Sequence, residues 1–210
     1  MTAQPRALDR FGPTGLSEAL TGLSGDLARI AARVRPSVVR ISNGNRSAGA
    51  GVVLHERGLV VTNAHVIKGR RIEILDYSNR PYQATILRVD RGLDLAALMI
   101  HAESLPSLSL GDSRSIQPGA WVLAFGHPYG VLGAATAGIV IGSGMDLPEM
   151  GPDARDWLAM SLRLRPGNSG GPVVDTDGRL VGLNTMMAGP GVGLAVPGHV
   201  VKKFLKRAIV

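Results

Sequence analysis

Arg165-Pro166-Gly167-Asn168-Ser169-Gly170-Gly171-Pro172 is the stretch around which this chain of 210 residues is organised. Gly167 and Gly170 allow backbone angles closed to other residues and let bare N–H groups approach a bound carbonyl. Pro166 and Pro172 stiffen the two ends. Such a loop presents a hydroxyl beside two or three convergent amides, which a nucleophile and an oxyanion hole require. The same composition also suits a plain glycine-rich turn between strands, so partners elsewhere in the chain decide between the two.

A serine hydroxyl is a poor nucleophile until a base takes its proton, and histidine titrates in the right range. The chain has five histidines. His65 ends a strand in Val61-Thr62-Asn63-Ala64-His65-Val66, His55 and His101 lie near turns, His127 precedes Pro128 in a loop, and His199 opens the last helix. A base in turn needs a carboxylate to fix its tautomer. Asp94, in Gly92-Leu93-Asp94-Leu95-Ala96-Ala97-Leu98, is flanked by apolar residues, where a carboxylate is costly unless paired. Asp90 and Asp112 sit in more polar surroundings.

Working outward, the pattern before Pro36 is helical. Leu16, Leu20, Leu23, Leu27, Ile30 and Val34 recur at spacings of four and three on one face, and Gly22 and Gly25 predict a break near Ser24. The stripe fits either an oligomer seam or, preferentially, packing on the protein's own body. From Ser37 the period changes to that of strands: Val38 to Ser42, Gly49 to Leu54, Gly58 to Thr62, Arg71 to Leu75, Gln83 to Val89 and Leu95 to Ile100. Asn43 to Ala48 reads as a loop, and Glu103 to Asp112 as a linker between two lobes. A second series follows at Trp121 to Phe125, Gly133 to Ile141, Trp157 to Leu162, Pro172 to Asp175, Leu180 to Met186 and Gly193 to Val196, with a long loop over Gly142 to Asp156. No helical period separates these strands, so the sheets are expected to be antiparallel. The predicted fold is all-β: an N-terminal arm and helix (1–36), a β-barrel (37–105), and a second β-barrel (106–210) closed by a C-terminal amphipathic helix, with a cleft between.

Composition excludes several alternatives. There are no cysteines, so a disulfide scaffold, a cysteine zinc site and thiol catalysis are ruled out. Aromatic content of 4% argues against base-stacking platforms. The net charge of +7 is spread along the chain, with one cluster at the C-terminus, and nucleic acid is not expected as a specific partner. No metal-ligand cluster and no phosphate-binding loop of the usual spacing is present, so no cofactor is expected. No stretch approaches 18 apolar residues, and Met1 to Leu16 lacks the features of a signal peptide. The chain as given therefore reads as cytoplasmic, or as periplasmic if an export signal was removed.

Three motifs then combine. Thr62-Asn63-Ala64-His65-Val66, Asp94-Leu95-Ala96-Ala97-Leu98 and Gly167-Asn168-Ser169-Gly170-Gly171-Pro172 occur in the His, Asp, Ser order of chymotrypsin-like serine proteases, and their detail resembles the HtrA/Deg branch. Gly49-Ala50-Gly51-Val52-Val53, Leu180-Val181-Gly182-Leu183-Asn184-Thr185 and Gly193-Leu194-Ala195-Val196-Pro197 resemble that branch as well. The resemblance spans Leu27 to Phe204. It implies two perpendicular six-stranded barrels with the site in the cleft. It implies His65 as general base and acid, Asp94 as its orienter and Ser169 as nucleophile, with an oxyanion hole from Gly167 and Ser169 and a contribution from Asn168. Thr185 matches the position that helps hold the aspartate and the substrate backbone. The specificity pocket is expected from 162–165, 185–188 and 192–195. Leu164, Met186 and Leu194 make it apolar, without a carboxylate to attract lysine or arginine. Cleavage after small or medium aliphatic residues is the expectation. Arg163 and Arg165 beside the loop favour acidic residues in the substrate.

The resemblance thus implies a serine endopeptidase acting on unfolded protein or extended peptides, in protein quality control. The alternative is a peptide-binding or chaperone-like module whose oxyanion loop is held inactive. The family's PDZ domain has no counterpart in the chain, and of the aromatic residues that hold its trimer only Phe11 has a candidate here. A homo-oligomer built on the Leu16–Val34 stripe is the substitute expectation.

Overall fold

Side chains two apart on a strand share a face, and that period builds the first barrel. The structure, a computed structural model, describes residues 13–43, 46–69, 71–144 and 155–208. Strands β1 (Val38–Asn43), β2 (Arg46–His55), β3 (Leu59–Thr62), β4 (Ile72–Leu75), β5 (Pro81–Asp90) and β6 (Leu95–Ile100) close in the order β1-β2-β3-β6-β5-β4. Every pairing is antiparallel. Ala96, Leu98 and Ile100 fill the barrel together with Val39, Ile41, Val60 and Ile74. Their neighbours Leu95 and Ala97 face the other way, into a layer shared with Val38, Val52 and Val61. Both faces of these strands are buried, which is why β6 reads as a nearly continuous apolar run rather than an alternation.

The second barrel repeats the scheme. Strands β7 (Trp121–Gly126), β8 (Ala134–Gly144), β9 (Trp157–Ser161), β10 (Pro172–Val174), β11 (Leu180–Gly189) and β12 (Val192–Pro197) close as β10-β11-β12-β9-β8-β7. Val122, Ala124, Val140, Leu158, Met160, Val173 and Val181 form its interior. Leu123, Phe125, Trp157, Val174 and Leu183 join the layer between the barrels. The expected linker stitches the two together. The Leu108 N–H donates to Val53 O at 2.9 Å, and Gly111 N–H donates to Leu180 O at 2.8 Å.

Two helices flank the barrels. Helix α2 (Gly198–Lys206) buries Val201, Phe204 and Leu205 and leaves Lys202, Lys203 and Lys206 exposed. Each of those burials contributes roughly 1.5–3 kcal/mol, enough to hold a helix too short to persist alone. Helix α1 runs unbroken over Pro13–Val34, so the break predicted near Ser24 is absent. A glycine inside a helix costs only about 1 kcal/mol, and the burial of Ile30 and Val34 outweighs it. Only the second half of the stripe packs on the body; Leu20 remains 57% exposed. The Asn43–Ala48 loop also shrinks, because β2 begins at Arg46, paired with Asn43. Phe11, and most of the expected Gly142–Asp156 loop, lie outside the described residues. Among the described residues no helix is long and apolar enough to cross a membrane.

Candidate active site

Asp94 occupies the turn between β5 and β6 with a positive φ of 54°, a conformation uncommon outside glycine, asparagine and aspartate. That turn delivers a carboxylate to the rim of the first barrel. His65 lies in a 3-10 turn, Ala64–Val66, just beyond β3. Asp94 holds it twice: Oδ1 accepts the His65 backbone N–H at 3.0 Å, and Oδ2 meets Nδ1 at 2.8 Å. The Asp94 side chain is 12% exposed and that of His65 is 49% exposed. The carboxylate is thus shielded and paired, while about half of the imidazole is exposed.

The second barrel supplies the serine loop. Asn168 N–H donates to Arg165 O at 2.9 Å, and Gly167 has φ 102°. Proline second and a positive-φ glycine third define a type II turn. The turn is locked from behind. His127 N–H donates to Gly167 O at 2.8 Å, and Asn168 O accepts Gly171 N–H at 2.9 Å. A Cβ on Gly167 would come within 2.5 Å of His127 O, and one on Gly170 (φ 82°) within 2.1 Å of Thr62 Oγ1. Among the described residues no backbone acceptor takes the N–H of Gly167 or Ser169. Those two donors remain available for an oxyanion.

Contacts between the barrels fix how the two halves meet. Ala50 N–H donates to Ser169 O at 2.8 Å. The buried Asn63 amide donates to Asp94 O at 3.0 Å and to Thr185 Oγ1 at 3.2 Å. Thr185 Oγ1 in turn donates to Leu183 O. Ser169 Oγ donates to Thr185 O at 3.1 Å, and among the described residues His65 makes no hydrogen bond to it. Asn63 is the residue that reading motif by motif overlooked. Its only signal was a side-chain amide adjoining an apolar strand, where a hydrogen-bond partner is obligatory.

A trypsin-like peptidase domain family matches residues 49–183. The chain belongs to that family. It is 38% identical over 167 residues to the mitochondrial serine protease HTRA2 of Drosophila persimilis, covering 77% of this chain and 39% of the relative. With serine protease HTRA3 of Rattus norvegicus it shares 32% identity over 199 residues, 85% of this chain and 43% of the relative. The chain therefore spans about two-fifths of the length of these curated relatives. A solved structure of the HtrA-type protease AlgW with a tripeptide superimposes with a TM-score of 0.78 at 31% identity, over 85% of this chain and 62% of that one. The two closed barrels are the chymotrypsin-like fold expected from the sequence.

Beside the serine of this HtrA-type domain lies a cleft of about 360 Å³. Leu164, Arg165, Thr185, Met186 and Met187 line it, and among the described residues no carboxylate does. Two expected site residues have other tasks. Leu194 is 1% exposed and sits in the layer between the barrels, paired with Met186 on the neighbouring strand. Met187, within the expected range 185–188, lines the cleft, and its Sδ accepts the Leu164 N–H at 3.1 Å. Asn168 was expected to help the oxyanion hole. Its N–H and its Oδ1 are both engaged by Arg165, so it holds the turn closed from inside. Sequence position alone could not separate these roles, because they depend on the turn that engages Asn168 and on the register of β11 and β12, both set in the folded chain.

His127 sits directly behind the loop, 3% exposed. Its Nδ1 accepts Gly133 N–H at 3.1 Å, and its Nε2 is buried without a hydrogen-bond partner. Burial pushes the imidazole down to about 4 from the ordinary 6.5; the charge of Arg40 adds to the shift, and the Val39 backbone offsets part of it. Among the described residues no group of three or more histidine, aspartate or glutamate side chains is placed to hold a metal ion.

Proposed function

We propose that this domain is a serine endopeptidase of the HtrA type, acting on unfolded protein or extended peptides in protein quality control. Ser169 is the nucleophile. His65 takes its proton and later returns it to the leaving amine, and Asp94 fixes the Nδ1–H tautomer and steadies the imidazolium. The N–H groups of Gly167 and Ser169 receive the charge that develops on the scissile carbonyl. One such donor is worth on the order of 3 kcal/mol of barrier. The observation that carries this reading is the unbroken run of contacts from His65 through Asp94, Asn63 and Thr185 to Ser169.

In the resting arrangement the Ser169 hydroxyl points at the Thr185 carbonyl. Reaction needs a turn of the side chain to another staggered rotamer, so that Oγ faces the imidazole. A bound peptide that hydrogen-bonds to the Thr185 carbonyl displaces the hydroxyl and favours that rotation. The apolar cleft then selects a small or medium aliphatic side chain before the cleaved bond, since lysine or arginine finds no counter-charge there. The same hydrogen bond motivates the second reading, a peptide-binding module whose serine is parked.

Casein turnover, together with fluorophosphonate labelling read by intact mass, separates the two. Turnover and single labelling, both lost in Ser169→Ala with unchanged melting temperature, support the peptidase. The loss of turnover is expected to reach about 10⁴- to 10⁶-fold. Peptide binding with neither turnover nor label supports the module. Preference for lysine or arginine in peptide profiling contradicts the cleft assignment.

A further inference from the structure

Behind the turn that carries Asp94 lies a cavity of about 560 Å³, away from the serine loop. Five cationic side chains surround it: Arg88, Arg114, Arg155, Lys203 and Arg207. They come from β5, from the loop before β7, from the approach to β9 and from α2. Among the described residues none of them has an ion-pair partner. The two carboxylates in the lining are already engaged. Asp90 Oδ1 accepts the Leu93 N–H at 2.9 Å. Asp156 Oδ2 meets His199 Nε2 at 2.8 Å, and Ser113 Oγ lies 2.9 Å from the other nitrogen of that ring. Arg88 Nη1 also donates to Arg207 O at 2.9 Å. Hydrogen bonding leaves both carboxylates charged, but five cations against two carboxylates still give the described lining an excess of positive charge.

The remaining wall is apolar. Leu93, Trp157 and Phe204 line the cavity, and the Arg88 guanidinium lies 5.9 Å from the Phe204 ring centre. Trp157 is 3% exposed, and among the described residues its indole N–H finds no acceptor. A buried donor without a partner is unusual, and an indole can only donate.

We propose that this cavity is an exosite for an acidic polypeptide segment in which carboxylates flank an apolar side chain. The guanidinium forks suit carboxylates, and the ring-lined wall takes the apolar side chain. A bare polyanion uses only the cations and leaves the apolar wall uncovered. The volume is that of an ordinary ligand site. Leu93 in the wall directly precedes Asp94, so occupancy stiffens the turn that positions the carboxylate beside His65. This site does not depend on the peptidase reading, and binding is tested without turnover.

The test uses a rhodamine-labelled peptide, Glu-Asp-Leu-Phe-Asp-Glu, and fluorescence anisotropy with the full chain carrying Ser169→Ala. Saturable binding is expected, weakened at least tenfold by Arg114→Glu with Lys203→Glu, both at exposed positions, and weakened by raised salt. The milder Arg114→Gln with Lys203→Gln guards against misfolding and is expected to weaken it less. Met186→Arg, which obstructs the cleft beside Ser169, is expected to leave binding unchanged. No saturable binding, binding indifferent to the charge reversals, or binding lost in Met186→Arg overturns the proposal. So does a peptide with Gly-Gly in place of Leu-Phe that binds equally well and is displaced by inorganic tripolyphosphate, which marks a simple polyanion site.

Discussion

The two barrels prepare their halves of the site in different ways. In the first, His65 and Asp94 are already joined by two hydrogen bonds, both formed within that barrel. In the second, Ser169 sits in a turn whose shape is held by a neighbouring loop, and its hydroxyl rests on Thr185 rather than on the imidazole. The proposed base and its orienter are thus paired within a single barrel. The proposed nucleophile is set only when the His127 N–H holds Gly167, the Asn63 amide holds Thr185 and the Ala50 N–H holds Ser169 itself. The acid–base half should tolerate disturbance of the interface, whereas the nucleophile half should not.

The largest test of this contrast removes the charge in the first barrel. Asp94→Asn is expected to lower kcat by about 10⁴-fold, through the wrong tautomer of His65. The fold should persist, because an amide keeps the shape. A fall of less than tenfold would mean that the pairing beside β3 is not part of the chemistry.

Gly167→Ala strikes the second barrel without touching a reactive side chain. Its Cβ would approach His127 O to 2.5 Å at a φ of 102°, so the turn must give way. An expected loss of 10²- to 10³-fold in kcat, on the order of 3–4 kcal/mol, should come with slower fluorophosphonate labelling. Chemical shifts of the His65 ring should stay unchanged. If those shifts move as much as the label rate, the two halves are not prepared independently.

The smallest effect concerns pH. His127 is held near 4 in the folded protein against an ordinary 6.5. On acidification the unfolded chain therefore takes up the proton first. The stability owed to neutral His127 is complete above about pH 6.5, falls as pH drops toward 4, and levels off below that. The full loss is roughly 3 kcal/mol. His127→Asn should flatten this limb in melting curves taken between pH 7 and 4. Labelling of Ser169 should decline with the same limb in the unmutated protein, since the His127 loop holds the Gly167 carbonyl. An unchanged acid limb in the variant would leave the loop without this link to stability.

The strand series was legible from residue types because each strand has its own period and its own turn chemistry. The run Leu95-Ala96-Ala97-Leu98 was legible as a strand, and in the fold both of its faces are filled. The break foreseen in α1 failed for a converse reason: local propensity at Gly22 and Gly25 is worth about 1 kcal/mol each, and tertiary burial farther along the helix exceeds it. Leu194 is a core residue because neighbours on β12 turn to opposite sides, Leu194 to the layer between the barrels and Ala195 to the interior of the second.

What the sequence by itself determined was the two-barrel plan, together with the proposal of His65, Asp94 and Ser169 as the reacting residues, since side-chain period, turn glycines and unusual motifs are local properties of the chain. Only the tertiary structure decided that Asn63 bridges the barrels, that Asn168 turns inward, that His127 backs the serine loop, and that five cations from four separate segments share one cavity. Those facts depend on which residues distant in the chain are brought within a few ångströms, and no period along the chain encodes that.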